Sequence, residues 1–259
     1  MKLKPIPISA TNQGDKKTAD VMLYGPIGDM FDGGLDARAF AQQLNDLGEV
    51  DEIHVHINSP GGRIADGLAM YNTLVQHPAN VKVTVEGVAA SSASWVAQAA
   101  SPGQLAMCEK AIMMIHCAQD LTIGDHREHD KAADVLRKLD ATIAGTYAAR
   151  SGRRPASFLS MMEDETWLSA AEAVENKLAD SVLPPTKPEN RWDLGMLNRY
   201  RRTPADLADR LAGRVASPVT TQTDAAADKK ADDDRVAADH QRAVAVRRRL
   251  LELDDDAAD

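Results

Sequence analysis

The chain has 259 residues, 44% hydrophobic and 27% charged, enough length and apolar content for one large domain with a proper core. Its 39 acidic residues outnumber 30 basic ones, for a net charge of −9, a balance that argues against nonspecific nucleic-acid binding, which needs a basic surface. No run approaches the roughly 18 apolar residues of a membrane span, residues 1–5 lack the apolar core of a secretory signal, and Cys108 and Cys117 are too few for a disulfide framework or a four-cysteine zinc site, so the cytoplasm is the expected compartment.

The first 185 residues alternate between strand and helix patterns. Residues 21–24 (VMLY) make a short strand that Gly25-Pro26 ends. Leu35, Ala39, Phe40, Leu44 and Leu47 recur at helical spacing and predict a helix over 35–47. A strand follows over 53–57, a break at Asn58-Ser59-Pro60-Gly61-Gly62, and a helix over 63–76. Residues 81–85 (VKVTV) alternate as a strand, which Gly87 is expected to end, and a small-residue helix covers 92–100. Residues 112–115 make a short buried strand. The clearest amphipathic helix spans 126–150, with Ala132, Leu136, Leu139, Ile143 and Tyr147 on one face and Ser151-Gly152 as its stop. This alternation predicts an α/β fold with a largely parallel sheet.

Composition shifts near residue 185. Pro184, Pro185 and Pro188 precede a basic patch at Arg199, Arg201 and Arg202. Residues 217–234 carry five Asp and two Lys, and Val219 is their only aliphatic residue larger than alanine. Such a stretch cannot bury enough apolar surface to offset its ordering entropy, and a disordered linker is expected there. Residues 235–253 are helix-prone, and Asp254-Asp255-Asp256 reads as a solvated end. The expected organisation is an N-terminal arm (1–19), a main domain (20–185) and a charged C-terminal tail (186–259).

Three places hold residues suited to chemistry. After the 53–57 strand, Gly61 and Gly62 allow a close approach of backbone to a ligand, or simply turn the chain into the next helix. Ser91, at the start of a helix, sits beside backbone N–H groups without internal partners. That is the setting of a nucleophile with an oxyanion pocket, and equally of a helix cap supplied by Ser91 or Ser92. His116 ends an apolar strand, as a general base or as a satisfied core histidine. A base needs hydrogen-bond reach to the nucleophile and a third group to orient it. Glu163-Asp164-Glu165 offers candidates for that group, or is a solvated acidic helix end.

Four stretches, INSPGG at 57–62, GVAASSAS at 87–94, MMIH at 113–116 and ETWLSAAEAVENKLADSVL at 165–183, resemble in order and spacing the motifs of the Clp protease proteolytic subunit (ClpP) family. The resemblance covers about 20–183 and implies a ClpP/crotonase-like spiral of β-β-α units with a protruding helical handle. It also implies a serine endopeptidase that uses no cofactor. By position Ser91 matches the nucleophile and His116 the general base. Glu165 matches the acid, an aspartate in the family, and Asp164 takes that place if the register slips by one. Glutamate, one methylene longer, can hold an imidazole tautomer as well. Gly62 and Ser92 match the backbone N–H donors of the oxyanion hole. Ser92 replaces the methionine of housekeeping subunits, a tolerable change in a residue that acts through its main chain.

The N-terminal segment does not resemble the axial-loop segment of the housekeeping subunits, and 186–259 has no counterpart in them. With Tyr24-Gly25-Pro26-Ile27-Gly28 and Glu165-Thr166-Trp167, these departures look more like the ClpP-related head maturation proteases of tailed phages and prophages. That branch implies ATP-independent cleavage of capsid and scaffold proteins, and of the chain itself, within the host cytoplasm or the assembling prohead. The 126–150 helix matches the region that joins rings. The expected partners are therefore further copies in a homo-oligomeric ring, single or stacked, and protein substrates, with neither nucleic acid nor membrane. Three alternatives remain: a housekeeping-type subunit working with an ATPase, a crotonase-type acyl-CoA enzyme that needs neither Ser91 nor His116, and a catalytically inactive capsid assembly or scaffold protein.

Other signals carry less. His54 and His56 share one face of their strand, as two metal ligands do, but nothing in the sequence marks a third ligand, and no metal is expected. His126 and His129 read as a solvated first helical turn. Cys117 adjoins His116, but strand neighbours point to opposite faces, which makes it a core thiol.

Overall fold

The computed structural model describes residues 6–13, 16–28, 34–184 and 194–207, all within one compact unit, Met1–Val215. The linker expected at 217–234 and the helix-prone stretch 235–253 lie outside the described residues. The elements are strand β1 (Ile8–Gln13), β2 (Lys16–Tyr24), helix α1 (Ala37–Asp46), β3 (Glu52–Ser59), α2 (Ile64–Gln76), β4 (Asn80–Ala90), α3 (Ser92–Ala97), β5 (Leu105–Cys108), β6 (Ile112–Ile115), α4 (His126–Ser151), α5 (Pro155–Glu163), β7 (Thr166–Ser169), α6 (Ala170–Glu175) and β8 (Ser181–Leu183), followed by a 3₁₀ turn over Leu194–Arg199.

Among the described residues the strands form one sheet in the order β1-β2-β3-β4-β5-β8. β1 runs antiparallel to β2, and the pairs from β2 to β8 are parallel. The second half of β4 pairs with β6, which pairs in turn with antiparallel β7. β3 shows why the central strands form: Ile53, Val55 and Ile57 are fully buried, while His54 and His56 alternate onto the other, half-buried face. Helices cover the sheet with the expected apolar positions. Phe40 and Leu44 of α1 and Met70 and Leu74 of α2 are buried. The Asp36 carboxylate accepts the N–H groups of Arg38 and Ala39 and so caps α1.

Some expected boundaries shift: β2 begins at Lys16 rather than at residue 21, and α3 ends at Ala97 rather than at residue 100. Gly87 does not end its strand; β4 continues through it to Ala90. The glycine is needed for packing, because a Cβ there would lie 2.6 Å from Asn58 Oδ1. That oxygen accepts the N–H of Val88 at 3.2 Å, exactly where the β3–β4 register shifts. The irregularity swings the end of β4 away from β5 and toward β6, and so carries Ser91 to the strand that leads into His116.

α4 ends as expected, on Gly152 in the left-handed conformation at φ 72°. Its apolar face buries only at the C-terminal end, through Ile143 and Tyr147, while Ala132, Leu136 and Leu139 are half-exposed. The helix therefore projects as a handle, and the mixed sheet with this handle fits the expected ClpP-like architecture. A second, smaller core lies beside the main one. Val88 and Ala90 of β4, Ile112 and Met114 of β6, and Trp167 pack against Leu197, Tyr200 and Leu207. Leu197 and Leu207 are 1% and 3% exposed, and burial of such a side chain contributes about 1.5–3 kcal/mol.

Candidate active site

The loop after β3 and the turn after β4 meet edge to edge. Gly61 has φ +77°, and a Cβ there would stand 2.4 Å from the Ala90 carbonyl oxygen and 2.8 Å from Ser91 Cβ. Only a glycine lets these backbones approach so closely. The Gly61 N–H donates to Ser59 Oγ at 3.1 Å, and Gly62 bridges to Ile27.

Ser91 itself has φ 54° and ψ −128°. A non-glycine residue in that conformation costs on the order of 1–3 kcal/mol and persists only where its surroundings hold it. Here the Ser91 N–H donates to Met114 O at 2.9 Å, and the Ser91 carbonyl accepts from Ser94 Oγ at 2.6 Å. The cap alternative does not hold for Ser91, whose side chain makes no bond to the start of α3. Its hydroxyl instead lies 2.7 Å from Nε2 of His116. Ser92 is buried with its own Oγ unpartnered, and as the first residue of α3 its N–H has no acceptor within the helix. Gly62, Ser91, Ser92, His116, Tyr147 and Tyr200 line one cavity of about 110 Å³.

His116 is deeply set. Burial lowers its pKa to about 4; Glu165 pulls it up, and Arg199 and Arg201 push it further down. The imidazole is therefore neutral at ordinary pH and able to accept a proton. Its Nδ1 is buried and has no hydrogen-bond partner. The two candidate acids are placed differently. Asp164 is exposed and pairs with Arg202 at 3.3 Å. Glu165 is 2% exposed, with φ 49°. Its carboxylate accepts the N–H groups of Arg201 at 2.9 Å and Arg202 at 2.5 Å, with the Trp167 indole at 3.4 Å. The structure thus brings Ser91, Ser92, Gly62 and His116 together, and sets Glu165 behind them with its oxygens bonded elsewhere.

Sequence reasoning missed the residues that cover the dyad. The Tyr200 ring stands edge-on to His116 at 5.3 Å, and its hydroxyl donates to Pro60 O at 2.6 Å. Burial raises the Tyr200 phenol pKa, opposed by Arg199 and by a hydrogen bond with Ser91. Arg199 also donates to Pro60 O, at 2.9 Å. In the sequence these two belong to a basic patch in the tail, and nothing there signals contact with residues far upstream. Tyr147, read only as part of a helix face, hydrogen-bonds Ser94 at 2.8 Å, three residues on from Ser91.

Away from the cavity, one expectation needs correction. The sequence marks no third group beside His54 and His56, but the parallel pairing of β2 with β3 sets Asp20 opposite His54. Asp20 Oδ1 lies 3.9 Å from His54 Nδ1 and 3.6 Å from His56 Nε2. Burial, helped by His56 and Lys82, lowers the His54 pKa to about 4. For His56 burial acts downward too, but Glu86 and Asp20 prevail and raise it. His126 and His129 are exposed on the first turn of α4. Burial and the nearby Asp140 and Glu163 push the Cys117 thiol up to about 11, away from the reactive thiolate.

Comparison with known proteins decides the family. Residues 16–186 match the family model described as Clp protease. The chain belongs to the Clp protease family. It is 28% identical over 190 residues to the ATP-dependent Clp protease proteolytic subunits of Streptococcus pneumoniae strains 70585, Hungary19A-6 and CGSP14, a match covering 69% of this chain and 96% of each of those proteins. This Clp-family chain is accordingly a ClpP-type peptidase. Among its described residues no helix is long and apolar enough to cross a membrane.

Proposed function

We propose that this Clp-family chain is a serine endopeptidase acting through Ser91, His116 and Glu165, and that it matures phage-type capsids. The observation that carries the reading is the 2.7 Å contact between Ser91 Oγ and His116 Nε2, made by a serine held at positive φ. Neutral Nε2 takes the hydroxyl proton as Oγ attacks the peptide carbonyl, then returns it to the leaving amine. The N–H groups of Gly62 and Ser92 receive the oxyanion, each donor contributing about 2.7–4 kcal/mol to the transition state. Glu165 is the acid of choice because it is buried and acts electrostatically on His116, whereas Asp164 faces solvent and Arg202.

The capsid role, and independence from ATP, rest on the Tyr24-Gly25-Pro26-Ile27-Gly28 opening and on the additional chain beyond residue 186. The exposed half of α4, with Val135 56% exposed, supports assembly of copies into a ring. The similarity to pneumococcal subunits of an ATP-dependent Clp protease favours a second reading, a proteolytic subunit that works with an ATP-driven partner. A fluorophosphonate probe should form an adduct on Ser91, and Ser91→Ala should abolish both adduct and cleavage while circular dichroism stays unchanged. Equal proteolysis by the alanine variant would overturn the reading. Cleavage of a capsid precursor without ATP separates the capsid role from the ATP-driven one.

A further inference from the structure

We propose that Asp20, His54 and His56 form a site for a divalent transition metal, best suited to zinc, on the face of β3 turned away from the main core. Their ligand atoms lie within 4.8 Å of one another. Two ligands bound tetrahedrally to zinc at 2.0–2.1 Å stand about 3.3–3.4 Å apart. The two carboxylate–imidazole distances, 3.6 and 3.9 Å, stand within about 0.6 Å of that spacing, and the two ring nitrogens lie within 4.8 Å of each other, so an ion would draw the rings together.

The outer contacts are those a metal site needs. His54 presents Nδ1 to Asp20 while its Nε2 lies 2.9 Å from Thr84 Oγ1. His56 presents Nε2 while its Nδ1 lies 2.8 Å from Glu86 Oε1, and Glu86 in turn accepts the Tyr24 hydroxyl. Fixing the far nitrogen in this way sets tautomer and ring orientation. Asp20 and Glu86 supply negative charge, and Lys82, paired with His54 in the register, is the cation facing them. Two imidazoles and one carboxylate suit zinc and leave a fourth position open. A bound ion would tie β2 to β3.

Calorimetric titration of the full chain with Zn²⁺ alone should show one site per chain and a raised thermal midpoint. The double variant His54→Ala/His56→Ala should lose both, and Glu86→Gln should weaken affinity 10–100-fold. Binding that survives the double variant, or that disappears instead in His126→Ala/His129→Ala, overturns the site, as does no binding by the native chain.

A separate set of contacts carries a second inference, which rests on the peptidase reading. We infer that residues 194–207 are a built-in plug that keeps the peptidase latent. Tyr200 covers the dyad and, with Arg199, occupies the Pro60 carbonyl at the cavity rim. The Arg201 and Arg202 N–H groups hold the Glu165 carboxylate, leaving Nδ1 of His116 unpartnered. One segment thus narrows the cleft from one side and withholds the acid, and Leu197 and Leu207 anchor it in the small core.

In the full chain, Leu197→Asp breaks that anchor without touching the dyad, and Tyr200→Ala removes the cover. Each should raise the rate of fluorophosphonate labelling of Ser91 at least 10-fold. A native rate equal to both variants overturns the plug, and so do variants that stay folded but label more slowly, since the segment would then belong to the working site. If neither the native chain nor either variant labels, the peptidase reading falls and takes the plug with it.

Discussion

At the scale of single residues, His116 links the site to pH. Unfolded, its imidazole titrates near 6.5; folded, burial holds it near 4. Between those values the unfolded chain binds the extra proton, so stability is full above pH 6.5 and falls as pH drops toward 4. His54, also lowered to about 4, acts in the same direction, and His56, which is raised, opposes it. His116→Asn should flatten the loss by at most about 1.4 kcal/mol per pH unit, read from urea midpoints at pH 7, 5.5 and 4.5. An unchanged slope would mean that the imidazole is not desolvated. Ser91 and His116 were legible because each sits in a short motif fixed by a strand end. Tyr200 was not, since it reaches Pro60 across 140 positions and no local pattern encodes that return.

Elements were read well where periodicity decided them. The handle helix matches to within a residue, and the helices over 35–47 and 63–76 to within two; the strand at 112–115, too short for a period, was read from its apolar run and the histidine that ends it. Reading failed where tertiary contact overrode local pattern. β1, the polar ISATNQ, forms because β2 offers it a ladder. β5 and α5 carry too few residues to show a period. Gly87 looked like punctuation but is a spacer for Asn58. Gly87→Ala should push the Asn58 amide off the Val88 N–H and cost about 1–3 kcal/mol, measurable by urea denaturation. A neutral effect would show that the amide side chain has room to move.

At the scale of the whole molecule, two apolar cores of unequal size share β4 and β6. The larger holds the sheet and helices, and the smaller exists through the segment 194–207. The second can therefore open while the first persists, which is how a folded protein changes state without unfolding. His54 and His56 belong to the same sheet, yet their third neighbour arrives from β2, and only the strand register reveals it.

Because Tyr200 is covalently part of the molecule it covers, dilution does not loosen its hold. A tethered group competes at an effective concentration that reaches the millimolar range for short connections. Scarce substrate met singly in a cell loses to such a rival. Substrate held in many copies close to the site presents a comparable local density. Cleavage would then wait on crowding by its targets, and the time of activation would be set by local substrate density rather than by the amount of peptidase made.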